Sequence, residues 1–180
     1  MRHRTEALIV LVAVTSAFAS APSADVCALI PKADVDSAFA PRVFANGQKS
    51  PGSFAGTKKL ASVLGCTLTS RGASIRDLWT VGLDVRRAPS DESGITVSTA
   101  KAGAVTLKAT PVDVPALGDA AYWINLGSST RPIIPLNVFT GKRLWLTFSA
   151  SGAKLDIDAA VANLTKVAKG TLSRLARDGG

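Results

Sequence analysis

The chain has 180 residues, 21 Lys and Arg against 13 Asp and Glu, a formal net charge of +8, and one histidine, His3. His3 lies in an N-terminal stretch with the signature of a secretory leader, so the exported remainder carries no imidazole. That closes the usual histidine-based routes to hydrolysis and narrows those to zinc.

Arg2 and Arg4 form a charged start, residues 7–14 an apolar stretch, and Ala17-Phe18-Ala19 a small-x-small cleavage site. Residues 1–24 are therefore expected to be a cleaved signal peptide, with the cut after Ala19 fitting the small-residue rule best, and residues 25–180 one exported domain. The apolar stretch is well short of the roughly 20 residues a spanning helix needs, so no transmembrane span is expected in the mature form. Bulky Val26 stands before Cys27, where a lipidated cysteine would follow a small residue, which argues against a lipid anchor. The expected location is periplasmic or secreted. In such an oxidising compartment Cys27 and Cys66 are expected to form a disulfide across their 39-residue separation.

Removing Arg2, Arg4 and Glu6 leaves 19 basic against 12 acidic side chains, a mature charge near +7. The basic residues are scattered among apolar ones, as on a solvated face, and no dense run of the kind used for nucleic acid occurs. Such a field keeps a protein soluble and can also hold an anionic surface or polymer.

In chain order, Pro31 fits the first turn of a short helix, Asp34 and Asp36 suit its positive start, and Val35, Ala38 and Phe39 give it an apolar side. Residues 40–57 carry Pro41, Asn46, Gly47, Pro51, Gly52 and Gly56 and read as a long surface loop. Cys66 and Leu68 alternate with Thr67 and Thr69; Trp79, Val81, Leu83 and Val85 alternate with Thr80, Gly82, Asp84 and Arg86. That predicts an antiparallel pair joined through residues 71–74. Residues 90–104 mix a helix-start signal, Ser90-Asp91-Glu92, with strand formers and are assigned to a short helix. Residues 105–109 are expected to be a strand, 111–117 a turn-rich link, and 120–125 a strand opening at Gly118-Asp119. Leu136, Val138 and Thr140 lead through Gly141-Lys142 into Leu144, Leu146 and Phe148, a hairpin. Asp156 can cap a long helix with apolar positions at Ile157, Ala160, Val161, Leu164, Val167, Ala168, Leu172 and Leu175. The expected fold class is α+β: an antiparallel sheet with an N-terminal and a long C-terminal helix packed on one face.

The segments Cys27-Ala28-Leu29-Ile30-Pro31-Lys32-Ala33-Asp34-Val35, Gly65-Cys66-Thr67-Leu68 and Leu117-Gly118-Asp119-Ala120-Ala121-Tyr122-Trp123 resemble small exported bacterial domains of unknown function, many of them actinobacterial lipoproteins. The resemblance implies a fold and a disulfide, not a reaction. The missing lipidation site sets this chain apart.

No enzyme site assembles from the residues. Asp34/Asp36 and Asp156/Asp158 are close in sequence, but both pairs sit in helix first turns, where the dipole accounts for acids. Ser98 and Lys101 have the Ser-x-x-Lys spacing without its partner motifs. No catalysis, metal or cofactor is expected. Asp119 reads either as a ligand contact or, better, as a turn aspartate bonding its own backbone. Neighbouring strand residues point to opposite faces, so Tyr122 and Trp123 are not both expected in the core, and Trp145 should face away from Leu144 and Leu146. Trp145 beside Arg143 is then either a binding platform or covered by the long loop or by residues 132–135.

The resulting expectation is a non-catalytic binding or interaction domain of the cell envelope. It would use the sheet face around Trp145, Trp123, Arg143, Tyr122 and Asp119 for an envelope protein or an anionic glycan. The alternative is a carrier of a small apolar ligand held between sheet and helices.

Overall fold

The computed structural model describes residues 25–51, 62–72, 74–87, 96–141 and 144–178. The leader, Arg143 and part of the long loop lie outside the described residues. Among those described, seven strands form one antiparallel sheet in the order β1-β2-β3-β7-β6-β5-β4. They are β1 (Gln48–Pro51), β2 (Ser62–Ser70), β3 (Trp79–Arg87), β4 (Val112–Asp113), β5 (Ala120–Trp123), β6 (Ile133–Thr140) and β7 (Leu144–Gly152). Two meanders, β1 to β3 and β4 to β7, meet where β3 pairs with β7, with Leu83 opposite Phe148.

One face of the sheet is a continuous aliphatic core. The pleat sends Leu83, Phe148 and Leu136 to the same side in one cross-strand row, and Leu68, Val81, Ala150 and Ile134 in another. On this face lie α1 (Val26–Leu29), α2 (Lys32–Ala38) and the long α4 (Ile157–Asp178). Asp25 Oδ1 caps α1 by accepting from Cys27 N at 3.1 Å, and Asp156 Oδ1 caps α4 by accepting from Ala159 N at 2.8 Å. Ala160, Leu164, Val167 and Ala168 recur at three- and four-residue spacing and are 0–2% exposed against the sheet. Farther along, Thr171 Oγ1 donates to Leu29 O at 2.7 Å and Arg174 Nη1 to the same oxygen at 3.2 Å, while Arg174 also pairs with Asp34. The N-terminal and C-terminal helices are thus locked to each other as well as to the sheet.

The disulfide between Cys27 and Cys66 ties α1 to β2, with Cα atoms 5.2 Å apart. Gly47 lies directly against it: a Cβ there would stand 2.5 Å from Cys66 Sγ and 3.0 Å from Cys27 Sγ. Only glycine lets the backbone pass this close.

Three details depart from the sequence reading. The 40–57 segment contains the edge strand β1, anchored by Cα pairing of Lys49 with Cys66; its proline and glycines hid a strand whose partner supplies the order. Residues 105–109 are no strand: Val105 and Thr106 end a helix, α3 (Val97–Thr106), and Lys108 stops it in the left-handed region at φ 60°. Val105 and Leu107 are 62% exposed, so their strand-like character came from apolar residues on the outside of a helix. Finally, the cap of α3 is Thr96, whose Oγ1 accepts from Thr99 N at 3.2 Å; the expected start at Ser90-Asp91-Glu92 lies outside the described residues.

The chain must travel from central β3 to edge strand β4, past β7, β6 and β5, and α3 lies in this crossover on the face opposite α4. That second layer is an addition to the expected architecture.

Candidate functional site

The second face begins where even-numbered residues of β3 meet odd-numbered residues of β7 and β6. Register places Arg86, Trp145 and Phe139 in one row. Trp145 stacks on Phe139 with ring centroids 5.4 Å apart, and the Arg86 guanidinium lies 4.5 Å over the Trp145 ring. Phe139 in turn stacks on Tyr122 at 6.3 Å, and Lys101 of α3 lies 5.8 Å from the Tyr122 ring. The result is a ladder of three aromatic rings with a cation at each end, the arrangement that ring quadrupoles favour. Ala104 of α3, Ala109 and Ile124 complete this smaller cluster.

The adjacent row, Asp84, Thr147 and Asn137, supplies the polar partners. Arg86 Nη1 donates to Thr147 Oγ1 at 2.9 Å, and Thr147 Oγ1 donates to Asn137 Oδ1 at 3.1 Å. The same Asn137 oxygen accepts from Trp145 Nε1 at 3.0 Å. Asp84 Oδ2 stands 3.9 Å from Arg86 Nη2. Arg86 is only 3% exposed, and burial pushes its guanidinium below the ordinary value while the Asp84 charge works against that shift. Burial pushes the Tyr122 phenol up, opposed by the Arg86 charge. The network holds Arg86 and Trp145 in one geometry.

Farther along the strands, beyond the Asp84–Thr147–Asn137 row, the face changes character. Thr67, Gly82 and Ser149 form one row and Thr69, Thr80 and Ser151 the next. The hydroxyl side chains are half-buried, and Thr80 Oγ1 lies 2.8 Å from Ser151 Oγ. This hydroxyl-paved floor adjoins the Asp84–Thr147–Asn137 row, which separates it from Arg86 and Trp145.

The residues singled out from sequence distribute unevenly. Tyr122 and Trp145 belong to one ladder. Trp123, opposite Leu136 in register, faces the other way and packs half-buried on the aliphatic core, so it does not share a surface with Trp145. Tyr122 and Trp123 are both packed, because each face of the sheet carries a layer. Trp145 borders its row neighbours Arg86 and Phe139; residues 52–61 of the long loop lie outside the described residues. Asp119 is exposed, and its backbone N donates to Phe139 O at 2.8 Å; among the described residues its carboxylate takes no hydrogen bond, so the self-bonded turn is not formed. The Leu117-Gly118-Asp119 segment has a clear structural reason: Leu117 is 2% exposed in the core, and Gly118, at φ 64°, would bring a Cβ within 2.5 Å of Phe139 O. Arg143 lies outside the described residues.

Sequence reasoning missed Arg86, Asn137, Phe139 and Lys101. The signal available was parity: Arg86 shares the even face of β3 with Asp84, and a polar residue in a predicted strand opposite Trp145 is the natural partner for its indole N–H.

Ser98 Oγ sits 2.9 Å from Thr96 Oγ1 and Lys101 Nζ on Asp113 Oδ1 at 2.5 Å, so each has a local partner. Among the described residues no group of three His, Cys, Asp or Glu is placed to hold a metal ion, and no helix is long and apolar enough to cross a membrane. The space a small-ligand carrier would use holds Leu83, Leu136, Leu146, Phe148 and Leu164, each 0–1% exposed within one core.

No protein-family model matches the chain, and no curated protein does. Among solved structures, the extracellular domain of PknH from Mycobacterium tuberculosis is similar with a TM-score of 0.48 and 11% identity, covering 81% of this chain and 94% of that one.

Proposed function

We propose that the protein is an exported, non-catalytic interaction domain of the cell envelope that takes a protein or anionic glycan partner on the second face of its sheet. The observation that carries this reading is the pairing of a rigid edge with a polar floor. Arg86 and Trp145 fix the Thr147–Asn137 network, and beside that network Thr67, Thr69, Thr80, Ser149 and Ser151 offer hydroxyl donors and acceptors in two regular rows. Recognition of a polar partner needs preset groups of this kind, because each immobilised side chain otherwise costs binding free energy. Trp145 borders Arg86 and Phe139 in its row, so its role is to hold Asn137, in the polar row that borders the floor, and not to serve as an open stacking plate.

Export is supported by the leader sequence and by the closed Cys27–Cys66 bridge, which persists in oxidising compartments. A binding role is preferred to a catalytic one because the exported part has no histidine and the Ser98 and Lys101 pair is engaged elsewhere.

The test compares wild type with a Thr80→Glu, Ser149→Glu variant and with Trp145→Ala in capture from native envelope fractions and from purified envelope glycan. Recovery should fall at least tenfold for the floor variant while its thermal midpoint stays near that of wild type. Equal recovery by folded floor variant and wild type rejects the surface.

A further inference from the structure

A different surface, at the end of the sheet where β2 gives way to β3, gathers basic side chains around one short turn, the 3-10 helix at Ile75–Asp77. Arg42 Nη1 donates to Asp77 O and Arg131 Nη2 to Leu78 O, each at 3.4 Å, so two guanidinium groups from distant parts of the chain converge on consecutive carbonyls. Arg42 also lies 4.0 Å over the Trp79 ring. Arg76 is in the turn itself, and Gly72, next to Arg71, packs so closely on it that a Cβ would stand 2.5 Å from Asp77 Cβ. Lys154 joins through its backbone N, which donates to Thr130 O at 3.2 Å beside Arg131.

What sets these residues apart is convergence on one turn together with the absence of ion pairs: among the described residues Lys166, Lys169 and Arg177 are also without a carboxylate, but they are spread along α4. Lys32, Lys49, Lys101 and Arg174 each sit on a carboxylate. Arg42, Arg71, Arg76, Arg131 and Lys154 make no ion pair among the described residues, and the one acid in their turn, Asp77, spends a carboxylate oxygen on Ser74 N and Oγ. All but half-buried Arg42 are exposed. The cluster is also edged by exposed aliphatic groups: Val43 at 67%, Leu126 at 44% and Ile133 at 43%. Leu126 N donates to Ile133 O at 2.9 Å, so this pair flanks Arg131 while Val43 follows Arg42.

We propose that this end of the sheet docks the domain on an anionic lipid bilayer, with the arginines and Lys154 at the headgroup phosphates and Val43, Leu126 and Ile133 entering the interface. Unpaired cations alone would suit any polyanion. Exposed aliphatic side chains set among them favour a bilayer, since a soluble anionic polymer gives them nothing to enter. Ile133 continues the outer row of the hydroxyl floor, Thr69-Thr80-Ser151, so the docking end borders that floor; the charge substitutions below lie outside the floor and read the bilayer contact separately from partner binding.

The test is sedimentation of the mature protein with phosphatidylglycerol-containing vesicles against phosphatidylcholine vesicles. Wild type should bind the first, release with rising salt, and ignore the second. An Arg71→Gln, Arg76→Gln, Lys154→Gln variant, which spares Arg42 and its contact with Trp79, should lose on the order of a hundredfold in partitioning, given the pull of each cation near such a surface. A Lys166→Gln, Lys169→Gln, Arg177→Gln variant removes equal charge from α4 and should bind like wild type. Val43→Ser should weaken binding severalfold without changing its salt dependence. Equal losses in the two charge variants, an unaffected Val43→Ser protein, or retention by a soluble anionic polymer with none by vesicles would each overturn the proposal.

Discussion

The face of the sheet under α1, α2 and α4 is closed by aliphatic side chains such as Leu83, Leu136, Leu146 and Leu164, all at or near 0% exposure. The face under α3 is closed by rings, two cations and an amide–hydroxyl chain. Apolar burial is non-directional and scales with area, so the first face can supply most of the stability without specifying fine geometry. Hydrogen-bonded groups add little net stability when satisfied and cost much when orphaned. The second face is therefore suited to holding side chains in one arrangement. Such a division fits a domain whose core does the folding and whose opposite face meets a partner.

If that division holds, the largest losses belong to the aliphatic face and its bridge. Replacing Cys27 and Cys66 by serine should lower unfolding free energy by about 4 kcal/mol, the chain-entropy value for a loop of this separation, measurable by urea titration with and without reductant. Leu164→Ala, at 0% exposure between α4 and the sheet, should cost about 3 kcal/mol through lost burial and the cavity left behind. On the second face, Asn137→Ala strands both the Trp145 indole N–H and the Thr147 hydroxyl and should cost about 2 kcal/mol. Its clearer signature is a shift in tryptophan fluorescence as Trp145 loses its fixed partner. An Asn137→Ala loss exceeding that of Leu164→Ala would erase the distinction between the faces.

What the sequence exposed of this arrangement follows the strength of local periodicity. The period-two runs of β3 and of β6 with β7, and the three-four spacing of α4, are properties of contiguous residues, so the α+β fold and its packed helices were readable. The disulfide was readable because compartment and cysteine count are also local facts. Strand β1 and helix α3 were hidden for an opposite reason. β1 exists because β2 pairs with it, and α3 buries only Ala104 well and carries Val105 outward. The candidate site was half legible: Tyr122 and Trp145 stood out as large aromatics, whereas Arg86 reads as an ordinary polar position on an exposed face. Only the pairing of β3 with β7, strands far apart in the chain, brings it over Trp145.

The two faces should also differ in alkali. Burial raises the Tyr122 phenol above its ordinary 10.0, so the unfolded chain gives up this proton first as pH climbs. Stability from the neutral phenol is then complete below pH 10 and declines as pH rises above it. Tyr122→Phe removes the titrating group and should flatten that part of the stability curve, followed by thermal unfolding across alkaline buffers; a slope unchanged by the substitution would assign alkaline loss to other groups.

The smallest effect tests whether α3 folds together with the sheet. Lys108 ends α3 at φ 60°, where a side chain is strained, and Ala109 N closes the turn on Ala104 O at 3.1 Å. Lys108→Gly relieves roughly 1–2 kcal/mol of left-handed strain and gives back part of it as unfolded-state entropy, leaving a gain of about 0.5 kcal/mol. If the second layer belongs to the same cooperative unit as the aliphatic core, that gain raises the global thermal midpoint by about 1–2 °C. If the midpoint stays and only amide-exchange protection in α3 increases, the layer opens on its own. The ladder would then be held in place by the sheet rows alone, since Arg86, Trp145, Phe139 and Tyr122 all stand on strands and only Lys101 belongs to the helix.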